Sequence, residues 1–249
     1  MAWLHAVIDV PAHEHAAAAQ FWERVLGWPL GPPWEGHPEL SSFEPPEGAA
    51  YVHLQRTDGP RRVHVDVEVD DPDAAERRAV ELGAERVAHH DRWRTLRSPG
   101  GLLFCLLRAG EADAPEAVTW PEGHRSRMVQ VCIDAPQGVH DREVEFWRTL
   151  LGGRFVESQA REFAGKWHDD AGSPLQLLFQ RLDEEEGPVR AHLDHGTDDL
   201  SAEVRRVLAL GATDVGAGHG GWHVLKDDGG MTFCVTANSP ERMQRRDIG

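Results

Sequence analysis

FWERVLGWPL, residues 21–30, returns 125 residues later as FWRTLLGGRF, 146–155. Upstream, Asp9 and Pro11 match Asp134 and Pro136 at the same spacing. Downstream, HVDV at 64–67 meets HLDH at 192–195, and AERRAVELGAERV at 75–87 parallels AEVRRVLALGATDV at 202–215. WRTLRSPGGLLFCLL, 93–107, then parallels WHVLKDDGGMTFCVT, 222–236. Ordered matches that drift by only a few residues in loops mean two homologous domains. The stretch GEADAPEAVTWPEGHRS, 110–126, rich in Ala, Pro, Glu and Gly, reads as the linker between them. The expected organisation is therefore a first domain at 1–109, a second at 127–240 and a tail at 241–249.

Each domain carries a fainter repeat of itself. HAVIDV, 5–10, resembles HVDVEV, 64–69, and each precedes a helix-like segment ending in Leu-Gly, at 26–27 and 82–83. Phe21, Val25 and Leu26 fall on one helical stripe with Ala17 and Ala18, so most of the FW signature is core packing. Asp71-Pro72 suits a helix start, with aspartate as cap and proline in the first turn. Each half-domain thus reads as a strand, a helix and a short meander of strands. In RVHVDVEVDD, 62–71, valine alternates with His64, Asp66 and Glu68, which makes a strand with one apolar and one polar face.

Composition narrows the function classes. With 26 Lys+Arg against 42 Asp+Glu, the net charge of -16 disfavours nucleic acid and anionic membranes as partners. No apolar run approaches the length of a membrane helix. MAWLHAVIDV runs straight into a strand pattern, so no secretory signal is expected. Cys105, Cys132 and Cys234 are far apart in apolar runs, which gives no disulfide framework and points to a reducing, cytoplasmic compartment. The Gly pairs at 100–101 and 229–230 read as tight hairpin turns, and no phosphate loop or nucleophile elbow is present.

Four βαβββ modules carrying FWxxxLG, H[VL]D[VH], LGA and W…L…GG…FC resemble the vicinal oxygen chelate superfamily, the glyoxalase/bleomycin-resistance fold. The resemblance covers nearly the whole chain. It implies an α+β fold of two tandem domains, each with two modules forming a curved, cup-like mixed sheet with helices outside. It also implies that the polar face of 62–71 looks into a pocket.

In metal-dependent members, ligands come from the first and last strand of each module. Carried over, the first domain offers His5, His53 and His64 as ligands of zinc, iron, nickel or manganese, with Cys105 or a water completing the shell. The usual fourth ligand is glutamate, and cysteine stands there instead. The second domain offers Gln130, Leu178, His192 and Cys234, too few donors for a second site. The alternative for His64 and His192 is a buried hydrogen bond to the neighbouring aspartates.

Nine tryptophans against one tyrosine add a supply of flat apolar surface, of which Trp93 and Trp222 are duplicated near the expected pocket rim. Trp3, Trp28, Trp34 and Trp167 also stand on segments able to reach the mouth. The expected ligand pocket comprises His5, His53, His64, Asp66, Trp93, Cys105, Gln130, His192 and Trp222. Two functions follow as expectations. One is binding or sequestration of a small aromatic or oxygen-rich metabolite. The other is a divalent-metal-dependent lyase, isomerase or dioxygenase in the first domain, with Asp66, Glu68 or Asp9 as base. Internal duplication favours a monomer over a homodimer.

Overall fold

The computed structural model describes residues 3–110, 112–168 and 172–241. All but the first residue of the expected tail therefore lies outside the described residues. The first repeat runs β1 (Trp3–Pro11), α1 (His15–Leu26), β2 (Leu30–Trp34), β3 (His37–Phe43) and β4 (Val52–Thr57). It continues with β5 (Arg62–Val69), α2 (Pro72–Glu81), β6 (Glu85–His89), β7 (Trp93–Arg97) and β8 (Leu103–Arg108). The linker segment carries the short β9 (Val118–Thr119), which pairs with the start of the next strand. The second repeat runs β10 (Arg125–Ala135), α3 (Gln137–Leu151), β11 (Arg154–Glu157), β12 (Phe163–His168) and β13 (Gln176–Arg181). It ends with β14 (Arg190–Thr197), α4 (Leu200–Ala209), β15 (Thr213–Ala217), β16 (Trp222–Lys226) and β17 (Thr232–Thr236).

Four βαβββ modules result, an α+β architecture. One sheet has strand order β2-β3-β4-β1-β5-β8-β7-β6, and the other β11-β12-β13-β10-β14-β17-β16-β15. Both are mixed, because the first and last strands of a module run parallel while its meander is antiparallel. No helix among the described residues is long and apolar enough to cross a membrane.

Local chemistry sets the helix ends. Asp71 accepts the N–H groups of Asp73 (3.0 Å) and Ala74 (3.1 Å), with Pro72 following it, and Asp199 accepts Ala202 N–H at 2.9 Å. Asp71→Ala is expected to cost about 1 kcal/mol, read as a lower urea midpoint; an unchanged midpoint would mean that the cap contributes nothing to stability. α1 ends at Gly27, whose φ of 71° is left-handed and whose N–H returns to Glu23.

Backbone contacts gather the chain into two compact units, one built mainly on the second and third modules and the other mainly on the first and fourth. In the first unit Phe104 meets Phe146 at 5.8 Å and Trp147 at 5.1 Å, both edge-on. In the second, Phe233 meets Phe21 at 6.0 Å and Trp22 at 5.3 Å. The FC motif of one module thus packs under the FW motif of another. Trp28 and Trp167, which the sequence left open between core packing and a pocket mouth, are core residues. Trp28 stands edge-on to Tyr51 at 5.5 Å, and Trp167 donates its indole N–H to Gly152 O at 2.6 Å.

The second unit also buries a charged cluster. Glu203 on α4 accepts Arg206 Nη2 at 2.6 Å and Nε at 2.8 Å, and His124 Nε2 at 2.7 Å. His195 Nε2 lies 3.2 Å from it and 2.9 Å from Ser126 Oγ. The Arg206 guanidinium sits 3.5 Å from the centre of the Trp120 ring. Aligned on the caps Asp71 and Asp199, the first repeat has Val67 and Ala75 where this cluster has His195 and Glu203.

Candidate functional site

On β5, Val63, Val65 and Val67 are buried on one face, and the alternating face presents His64, Asp66 and Glu68. That polar face is not wet: His64 is 4 % exposed and Asp66 9 %. The neighbouring strands extend it. β8 runs parallel to β5 with Cys105 opposite Asp66, and β7 runs antiparallel to β8 with Thr95 opposite Cys105. His64 Nε2 lies 3.3 Å from Asp66 Oδ1, and Thr95 Oγ1 lies 3.6 Å from Cys105 Sγ. Burial, with the Asp66 carboxylate beside it, pushes the Cys105 thiol up to about 11, so it is neutral near pH 7.

Two residues along each strand, the same face carries Glu68 and Trp93. Glu68 Oε1 lies 3.1 Å from His5 Nε2, and its Oε2 accepts Gly110 N–H at 3.0 Å. Burial alone would raise the Glu68 carboxyl; the bonds from His5 and Gly110 outweigh it and hold it below the usual carboxylate range. An ionised, doubly bonded carboxylate is a weak base, so Glu68 holds His5 better than it would take a substrate proton. Trp93 is half-buried and stacks on His90, with centroids 4.7 Å apart. His5, His64, Asp66, Glu68, Thr95, Trp93 and Cys105 all belong to one unit.

The other unit repeats the arrangement. On β14, His192 Nε2 lies 3.3 Å from Asp194 Oδ1 and 3.6 Å from Cys234 Sγ, and Asp194 stands opposite Cys234 in the β14–β17 register. Gln130 Nε2 donates to Asp194 Oδ2. Trp222 is packed against its own glycine-rich loop, leaving no room for a side chain at Gly218 or Gly220. Also in this unit, His53 Nδ1 lies 3.0 Å from Ser42 Oγ, which accepts the Trp34 indole N–H at 2.9 Å.

These distances decide between chemistries. A Cys–His–Asp relay needs the thiol on one imidazole nitrogen and the carboxylate on the other. Here the Nε2 of His192 faces both Asp194 and Cys234, so these three groups converge on a point. Among the described residues, the buried groups of three donors within 4.8 Å of one another include His64–Asp66–Cys105 and His192–Asp194–Cys234. Neither His5 nor His53 belongs to such a group among the described residues. Asp194, the donor that completes the second set, enters the sequence reading only as a hydrogen-bond partner of His192 and not as a ligand. Its place two residues after His192 on an alternating strand was the available signal. Thr95 had none, since its partner lies ten residues away across a hairpin.

A family model described as glyoxalase-like domain matches residues 5–107 and again 130–236. No curated protein matches the sequence. Among solved structures, the chain is similar to the Mn(II)-bound glyoxalase from Novosphingobium aromaticivorans. That match has 16% identity and a TM-score of 0.67, over 96% of this chain and 81% of the other. It is also similar to a variant of 4-hydroxymandelate synthase from Streptomyces coelicolor (15%, TM-score 0.62, 96% and 92%). A third is 2,2',3-trihydroxybiphenyl 1,2-dioxygenase from Sphingomonas wittichii (11%, TM-score 0.60, 96% and 90%). At these identities the likeness concerns the fold.

Proposed function

The chain belongs to the glyoxalase-like domain family of the vicinal oxygen chelate superfamily, in tandem duplicate, and we propose that it binds a small aromatic or oxygen-rich metabolite on the polar face of β5, β7 and β8. The observation that carries this reading is the burial of His64 and Asp66 on a strand face opposite the apolar core. Burying an imidazole and a carboxylate costs free energy unless they are paired, and a sheltered set of polar groups beside an indole is what orients a flat ligand. His64 and Asp66 supply the hydrogen bonds, Trp93 the stacking surface, and Thr95 and Cys105 the floor.

Titration of tryptophan fluorescence with catechol and 4-hydroxybenzoate tests it. Saturable quenching is expected in the wild type, with affinity weakened at least about tenfold in His64→Ala and Trp93→Leu. Failure of both probes to quench, or undiminished binding in both variants, would remove the assignment.

A second reading is favoured by the convergence of His64, Asp66 and Cys105. Nitrogen, oxygen and sulfur donors suit a borderline-soft divalent ion, and donors bound at about 2.0–2.3 Å from one ion lie at most about 4.6 Å apart. The set within 4.8 Å is close to that limit. A metal there would supply Lewis-acid polarisation of vicinal oxygens, the chemistry of a lyase, isomerase or dioxygenase. Asp66 would then be a ligand, which removes it as a base.

A further inference from the structure

Each FW tryptophan donates its indole N–H to a buried carboxylate, and the two units draw that carboxylate from opposite sides of the contact. In the unit of the second and third modules, Trp147 Nε1 donates to Glu143 Oε1 at 2.8 Å, one turn earlier on α3. Oε2 accepts Gly100 N–H at 2.9 Å, in the turn between β7 and β8. Ser98 Oγ, in the same turn, accepts Leu102 N–H at 3.0 Å.

In the other unit, Trp22 Nε1 donates to Asp227 Oδ2 at 3.3 Å, and Asp227 belongs to the turn between β16 and β17. Its Oδ1 accepts Gly229 N–H at 3.0 Å and Met231 N–H at 2.8 Å. One aspartate therefore performs what Glu143 and Ser98 divide between them. The repeat aligns Ala18 with Glu143, and Ser98 with Asp227. A third position follows suit. Arg61 Nη1 donates to Asp227 Oδ2 at 2.6 Å, and at the equivalent place Val189 covers Gly100, where an added Cβ would lie 2.3 Å from its Cγ2.

Each contact thus holds one fully buried carboxylate between helix and turn, the Glu14 and Asp228 carboxylates that also reach Arg61 being half-buried, and exchanging partners destroys that arrangement. α1 against the Ser98 turn would leave an indole N–H and a turn N–H without their carboxylate, at the cost of burying unsatisfied donors. α3 against the Asp227 turn would bury Glu143 beside Asp227, where two adjacent carboxylates cannot both stay ionised. We infer that the positions of Glu143 and Asp227 form a pairing code that selects the second module for the third and the fourth for the first. The code works by penalising the wrong partner as well as rewarding the right one. It is independent of the ligand proposed above.

The test uses full-length variants and urea unfolding, comparing midpoints at constant slope. Asp227→Ser and Ala18→Glu should each lower the midpoint. Ala18→Glu/Asp227→Ser moves the carboxylate from turn to helix, and should regain most of the larger single loss. Ala18→Glu/Glu143→Ala carries as many changes but puts two carboxylates in one unit and none in the other, and should show no recovery. The reciprocal Glu143→Ala/Ser98→Asp should recover relative to Glu143→Ala. Where a single variant is too unstable to fold, cooperative unfolding of its matched double supports the code equally. Additive losses in both matched doubles, or equal recovery in Ala18→Glu/Glu143→Ala, would overturn it.

Discussion

Glu203→Ala is expected to destabilise the chain by about 3–5 kcal/mol, because it strips the carboxylate from a buried charged cluster and leaves its partners behind. Arg206 would keep its bonds to Arg24 O and Val25 O at 2.9 Å each, so its charge would stay where it is, without its counter-ion. His124 would lose the acceptor of its Nε2. The pH profile sharpens the prediction. Burial pushes the Glu203 carboxyl up, but Arg206 and His195 outweigh it and hold it far below the ordinary value of 4.5. A depressed folded-state value contributes stability that is present above the unfolded value and lost as pH falls below it. The wild type should therefore lose stability more steeply than Glu203→Ala as pH drops from about 5 to 3. Urea unfolding across that range checks both parts. A loss under about 1 kcal/mol at pH 7, or parallel acid limbs, would show that the cluster contributes nothing net.

Trp147→Ala should cost a similar amount, about 3–5 kcal/mol for removing a fully buried indole. It would empty the space between Phe104 and Phe146 and take from Glu143 a donor at 2.8 Å. Burial, outweighing the bonds from Ser98, Trp147 and Gly100, already pushes the Glu143 carboxyl above the usual range. Losing a donor would make its ionised form costlier still. Trp93→Ala, by contrast, truncates a half-buried indole on the face proposed to bind ligand and should change stability by no more than about 1 kcal/mol. Urea midpoints separate the two cases. Similar losses for Trp147 and Trp93 would mean that the division between packing and site tryptophans is drawn wrongly.

The fold was legible because its signals are local and duplicated. The FW stripe, the Asp71 cap and the alternation of HVDVEV are set by neighbours within a turn or a strand. The same alternation made His64 and Asp66 readable as one face. Module pairing was not legible, because Glu143 and Asp227 look like solvated charges until the contact with Trp147 or Trp22 is known. Glu203 was hidden the same way, as one acid on an ordinary amphipathic helix. For the site, position in the family pattern pointed to His5 and His53. In the structure His5 meets Glu68, His53 meets Ser42, and Asp66 lies beside His64.

On the proposed reading, the His64 face takes its ligand without a metal. Its most direct test is the metal content of tag-free protein purified without chelators, for the wild type and for His64→Ala and Cys105→Ser. Divalent transition metal well below one per chain is expected in all three, with fluorescence quenching by ligand intact in the wild type after dialysis against a chelator. About one metal per chain in the wild type, lost in both variants, would contradict it and make His64, Asp66 and Cys105 a metal centre.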